Sequence, residues 1–161
     1  MSGAGIGGHL YPGVAVAQEI RRRYPRSRVV FAGIGRDMEV QPLRRAGFAL
    51  ERVHSAGLKG KSAGALLRGL SMLPLSAWDA WRVISRVSPH VVIGLGGYSS
   101  GAIVLIAALR RVPTMLLEQN AVPGMTNRLL APFVTAAAVS HEPTLSHFRG
   151  KGFLSGNPVR A

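Results

Sequence analysis

A chain of 161 residues with 47% apolar residues is long enough to bury one core and too apolar to remain disordered. It has no cysteine, which excludes disulfides, thiolate nucleophiles and cysteine-ligated metals and suits a reducing compartment. Its 20 Lys+Arg against 7 Asp+Glu give a formal charge of +13, a field that draws polyanions such as anionic lipid, nucleic acid or a phosphorylated substrate.

The chain opens on a glycine-rich turn, Gly3-Ala4-Gly5-Ile6-Gly7-Gly8-His9, that runs into a helical pattern over 12–24. Such a turn brings backbone N–H groups and a positive helix end close to an anionic or oxygen-rich ligand. His9 adds a side chain that exchanges a proton near neutral pH. Arg21, Arg22, Arg23, Arg26 and Arg28 close the helix and its exit, a solvated face suited to the negative helix end. Apolar runs at 29–32, 49–53, 91–94, 114–117 and 135–139 predict strands, and helices are expected near 38–46, 62–86, 100–110, 124–131 and 142–148. Near-continuous apolar strands separated by helices predict an α/β, doubly wound, Rossmann-like parallel sheet, with ligands outside the carboxyl ends of its strands. Three unusual segments fall at such ends: the first turn, Gly94-Leu95-Gly96-Gly97-Tyr98-Ser99-Ser100-Gly101, and Glu118-Gln119-Asn120-Ala121-Val122-Pro123-Gly124. Gly156-Asn157-Pro158-Val159-Arg160 closes the chain like a domain hinge. Only Met1 and Ser2 precede the first glycine, so the central first strand is expected to be missing, leaving either a start further upstream or an unpaired gap.

Residues 56–82 carry Leu66, Leu67, Leu70, Met72, Leu73, Leu75, Trp78 and Trp81, more apolar surface than one core-facing stripe needs. Pro74 is expected to kink or break the helix. Lys59, Lys61 and Arg68 flank the segment, with no acid between Glu51 and Asp79. Basic residues around Leu and Trp suit docking at an anionic membrane surface; the competing reading is a helix that covers the sheet. No uncharged apolar run reaches the roughly 20 residues that span a bilayer, and no leader pattern opens the sequence, so a soluble or peripheral protein is expected.

In order along the chain, Gly5-Ile6-Gly7-Gly8-His9 with Pro12-Gly13, Ser55-Ala56-Gly57-Leu58-Lys59-Gly60-Lys61, Gly96-Gly97-Tyr98-Ser99-Ser100-Gly101, Glu118-Gln119-Asn120-Ala121-Val122-Pro123-Gly124 with Thr126-Asn127, and Gly156-Asn157-Pro158-Val159-Arg160 match one family. The whole chain resembles the N-terminal half of the peptidoglycan N-acetylglucosaminyltransferases. That resemblance implies one domain over 1–161, the acceptor-binding half of a GT-B enzyme whose donor-binding domain lies outside the chain. It implies transfer of GlcNAc from UDP-GlcNAc to the muramoyl 4-hydroxyl of undecaprenyl-diphosphate-linked lipid I, forming lipid II at the cytoplasmic membrane face, in cell-wall synthesis that serves cell shape and division.

By the same resemblance His9 is the base that takes the acceptor proton, with Glu118 second to it or a tie for its loop. Ile6, Gly7, Gly8, Asn120 and Arg160 contact the donor, and Gly97, Tyr98, Ser99 and Asn127 form the acceptor loop. Ile6 stands where the family usually has threonine, which loses a hydroxyl contact, and Ala4 replaces a common glycine. Lys59, Lys61, Leu66, Arg68, Leu70, Leu73 and Trp78 are the membrane-docking set. His54, His90, His141 and His147 are expected to be structural. With no Asp-x-Asp and no cluster of metal ligands at helical spacing, backbone N–H groups, helix ends and Arg160 are expected to meet the diphosphate, with no metal and no cofactor.

Three other readings compete. A stand-alone acceptor-binding, membrane-docking module would need a separate donor-binding subunit. A Rossmann oxidoreductase is disfavoured because Gly7-Gly8-His9 spoils the third-glycine spacing and no acid ends the strand near Ala32-Gly33. A nucleic-acid binder rests on charge alone.

Overall fold

The computed structural model describes residues 1–3, 9–55 and 71–158. Seven parallel strands form one sheet: β1 (Ser2–Gly3), β2 (Val30–Gly33), β3 (Ala49–Arg52), β4 (Val92–Gly96), β5 (Thr114–Glu118), β6 (Ala136–Val139) and β7 (Gly152–Leu154), in the order β3-β2-β1-β4-β5-β6-β7. The helices are α1 (Leu10–Arg23), α2 (Asp37–Arg45), α3 (Leu73–Val87), α4 (Tyr98–Leu109) and α5 (Met125–Leu130), with a 3-10 helix at Glu142–Phe148. This is the doubly wound α/β sheet the alternation predicts.

Side chains that alternate along each strand feed two cores. Phe31, Ile93, Leu95, Leu117 and Ala138 meet Leu10, Val14 and Ala17 of α1 and Leu43 of α2. Their neighbours Ala32, Val92, Leu116, Ala137 and Val139 face the other way, onto Ala80, Val83 and Ile84 of α3, Val104 and Ala107 of α4, and Phe148. A Cβ at Gly13 would lie 2.3 Å from Leu95 Cδ1, so this glycine lets α1 seat directly on β4. That close seat carries His9, at the start of α1, to the carboxyl end of β4.

The first strand, expected to be missing, is present and central. Ser2 pairs with Ala32 on one side and Gly94 on the other. Met1 extends the ladder: its amine donates to Val30 O at 2.7 Å, and Ala32 N–H donates to Met1 O at 2.8 Å. Two residues suffice because both flanking strands are long enough to define the slot. A groove of about 440 Å³ lies beside them at the amino ends of the strands, bordered by Met1, Val30, Val87, His90 and Val92.

The break expected at Pro74 is found: Ser71 is helical, Met72 lies in a turn, and α3 opens at Leu73 with the missing N–H of Pro74 in its first turn, where helices leave N–H groups unpaired. Two further differences have local causes. The helix expected from residue 100 starts at Tyr98, which places Tyr98 and Ser99 in its first turn. β7 was not anticipated; its three residues begin on a glycine and carry little pattern.

Candidate functional site

The carboxyl ends of β4 and β5 and the start of α1 meet at one place. His9 occupies the N-cap of α1, but its side chain makes no cap hydrogen bond. Instead its Nδ1 lies 3.0 Å from Gln119 Oε1, just past β5. Beneath the ring runs Gly96, at φ +91, where a Cβ would come within 3.3 Å of His9 Cε1 and Nδ1. Gly97 follows at φ +78 as the N-cap of α4. Two consecutive positive-φ residues need glycine, and they turn β4 sharply into α4 so that the imidazole rests against bare backbone.

Glu118 is 1% exposed, and both its oxygens are engaged. Oε1 accepts from the Asn120 N–H at 3.0 Å and Asn120 Nδ2 at 2.8 Å. Oε2 accepts from the Gly124 N–H at 2.9 Å and Asn127 Nδ2 at 3.0 Å. Four donors on one buried carboxylate fold residues 119–124 into a fixed loop and compensate the charge. Thr144 of the 3-10 helix braces the same loop, donating to Asn120 O at 3.1 Å and Ala121 O at 2.9 Å.

The expected site residues therefore divide. His9, Gly97 and Tyr98 sit around the turn from β4, with His9 and Tyr98 partly buried, while Asn120 is exposed on the loop with its amide nitrogen turned to Glu118. Asn127 is buried; its Nδ2 serves Glu118 and Leu117 O, and its Oδ1 has no partner among the described residues. Ser99 is buried as well, its hydroxyl without a partner among the described residues, while Ser100 Oγ donates to Gly97 O at 2.8 Å. Ile6, Gly7, Gly8 and Arg160 lie outside the described residues. Gln119 and Thr144 are not among the residues that the sequence singles out; for Gln119, its position in the motif directly after a strand end is the signal that marks it.

On α3, Leu73 and Trp78 are exposed, at 50% and 60%, alongside Leu75 and Trp81. The Arg110 guanidinium stacks over Trp81, 4.6 Å from the ring centre. Asp79 accepts from the His54 backbone N–H at 2.8 Å and pairs with its Nδ1 at 2.6 Å, joining the exit of β3 to α3. Burial pushes the Asp79 carboxyl up, but these His54 contacts outweigh it and hold it below the usual carboxylate range. Lys59, Lys61, Leu66, Arg68 and Leu70 lie outside the described residues. Among the described residues no helix is long and apolar enough to cross a membrane, and no group of three His, Cys, Asp or Glu is placed to hold a metal.

The comparisons with known proteins agree with this architecture. The chain is similar, at 43% identity over 161 residues, to a protein of Anaeromyxobacter sp. (strain K) named UDP-N-acetylglucosamine--N-acetylmuramyl-(pentapeptide) pyrophosphoryl-undecaprenol N-acetylglucosamine transferase. The alignment covers 99% of this chain and 42% of that relative. A protein of the same name from Myxococcus xanthus is 42% identical over the same share of each. The chain thus spans less than half the length of these curated relatives. Among solved structures, Acinetobacter baumannii MurG superposes with a TM-score of 0.80 at 24% identity, over 100% of this chain and 45% of that one. A putative UDP-N-acetylglucosamine 2-epimerase from Listeria monocytogenes gives 0.67 at 14% identity, over 97% and 44%. At those identities the two structures speak for the fold. The glycosyltransferase family 28 N-terminal domain model matches residues 1–139, nearly the whole of the sheet and its glycine turns, and the chain belongs to that family.

Proposed function

We propose that this chain is the acceptor-binding half of an inverting transferase that moves GlcNAc from UDP-GlcNAc to the muramoyl 4-hydroxyl of lipid I, yielding lipid II. The observation that carries this is the 43% identity, across 99% of the chain, to a relative whose name states that chemistry. The geometry supports it: a histidine beside a glycine turn at the carboxyl ends of the strands, the place where open α/β sheets bind ligands.

In this reading His9 Nε2 takes the acceptor hydroxyl proton as the oxygen attacks the anomeric carbon. The bond from that carbon to the diphosphate oxygen breaks, and its electron pair leaves on UDP. Glu118 serves as the loop tie, since using it as a base would pull it from four donors. It sets Asn120 at the donor edge. Tyr98 and Gly97 line the acceptor side, and Ser99 and Asn127 support that turn from within. Ile6, Gly7, Gly8 and Arg160 are assigned to contacts with UDP-GlcNAc. Leu73 and Trp78, exposed on α3, dock peripherally on the anionic cytoplasmic leaflet, where the lipid-linked acceptor resides, and Lys59, Lys61, Leu66, Arg68 and Leu70 are assigned to the same task.

His9→Ala, made in this chain joined to a donor-binding half, is expected to lower the transfer rate by about 10²–10⁴ if His9 is the base. A loss under about tenfold removes His9 from that role.

A further inference from the structure

A histidine works as a base only through the ring nitrogen that lacks a proton, so the partner of the other nitrogen decides its competence. Here that partner is Gln119. Its Oε1 stands 3.0 Å from His9 Nδ1, while among the described residues His9 Nε2 has no partner. Gln119 is part-buried just past β5, and the loop that begins with it is fixed by the Glu118 carboxylate. Gly96 also lies against the ring, where a Cβ would come within 3.3 Å of His9 Cε1 and Nδ1. The imidazole is therefore held in both position and rotation.

The amide leaves a trace of its purpose. Gln119 Nε2 is buried without a partner among the described residues. A buried amide that uses only its oxygen is a poor choice for stability alone and needs another explanation. The geometry points to Gln119 as a positioning residue: its Oε1 accepts the Nδ1–H of His9, locks that tautomer and leaves the Nε2 lone pair for the acceptor hydroxyl proton. The inference rests on the proposed role of His9 as base. With the amide turned the other way, Gln119 would donate to Nδ1, place the proton on Nε2 and disable the base.

Two measurements test this separately from the role of His9. In this chain carrying ¹⁵N-labelled histidine, long-range ¹H–¹⁵N spectra report which ring nitrogen is protonated above the imidazole titration. The expected result is protonated Nδ1 in the native chain and in Gln119→Glu, which keeps an acceptor, and a shift toward protonated Nε2 in Gln119→Leu. Protonated Nε2 in the native chain, or a tautomer indifferent to Gln119→Leu, overturns the proposal. If Gln119→Leu does not fold, loss of the Nδ1 proton in Gln119→Glu overturns it equally.

In the chain joined to a donor-binding half, Gln119→Leu is expected to lower kcat about 10- to 100-fold with little change in the acceptor KM. Gln119→Glu should recover most of the rate and move the acidic limb of the pH–kcat profile upward, because a carboxylate beside the ring favours the imidazolium. A Gln119→Leu loss that appears only in KM, or an unmoved limb in Gln119→Glu, contradicts the positioning role. Failure of the His9→Ala test would instead strike the base assignment while leaving the tautomer result standing.

Discussion

Glu118→Gln separates a loop tie from a chemical role. Each Glu118 oxygen accepts two hydrogen bonds, from Asn120 twice on one side and from Gly124 and Asn127 on the other. Glutamine keeps one acceptor oxygen, so in either orientation its NH₂ faces two donors. Hydrogen bonds to a charged acceptor contribute about 1.5–3 kcal/mol each, so losing two of them costs about 3–6 kcal/mol. For a domain of this length 1 kcal/mol moves Tm by about 2–4 °C, so Tm is expected to fall by roughly 10 °C. Thermal unfolding of this chain followed by circular dichroism measures it directly. A Glu118→Gln chain that melts within about 2 °C of the native one, yet abolishes transfer once joined to a donor-binding half, would refute the tie and return Glu118 to the chemistry.

Gly96→Ala forces φ +91 on a residue with a Cβ and pushes that carbon against the His9 ring; a loss of about 1–2 kcal/mol in urea unfolding is expected, and none would contradict the strain. Asp79→Asn should cost about 1 kcal/mol near pH 6 through its contacts with His54. Because the native Asp79 carboxyl is held below its unfolded value of about 3.9, its contribution is present above that pH and is lost as pH falls through the lower, folded value, so the gap between native and variant stability should close as the pH is taken below the usual carboxylate range. Leu73→Ser with Trp78→Ser removes two exposed side chains, so flotation with anionic vesicles should weaken by about tenfold while the circular dichroism spectrum stays unchanged. Equal flotation would assign α3 to covering the sheet alone.

Much of the architecture was legible because β4 and β5 are apolar on both faces, a pattern that only a covered parallel strand needs. β1 was hidden for the opposite reason. Two residues carry no periodicity, and the strand exists because β2 and β4 flank it. The break at Pro74 was legible because a proline fits a helix only in its first turn, which is where α3 places it.

His9, the Gly96-Gly97 turn and the motif from Glu118 to Gly124 meet at the strand ends, as expected of residue types that are unusual after a strand. What the side chains do there was not legible. The four bonds to Glu118 join residues up to nine positions apart, and the partnership of His9 with Gln119 spans 110 positions. Asn127 and Ser99, read as substrate contacts, are buried because the first turns of α5 and α4 face inward, a direction motif spacing does not encode.

The most direct test of the proposed function joins this chain to the C-terminal remainder of the Anaeromyxobacter relative and supplies UDP-GlcNAc with lipid I. The account predicts lipid II from the joined protein, none from this chain alone, and a loss of product in the His9→Ala version. A folded, vesicle-binding fusion that binds UDP-GlcNAc and still makes no lipid II would contradict it.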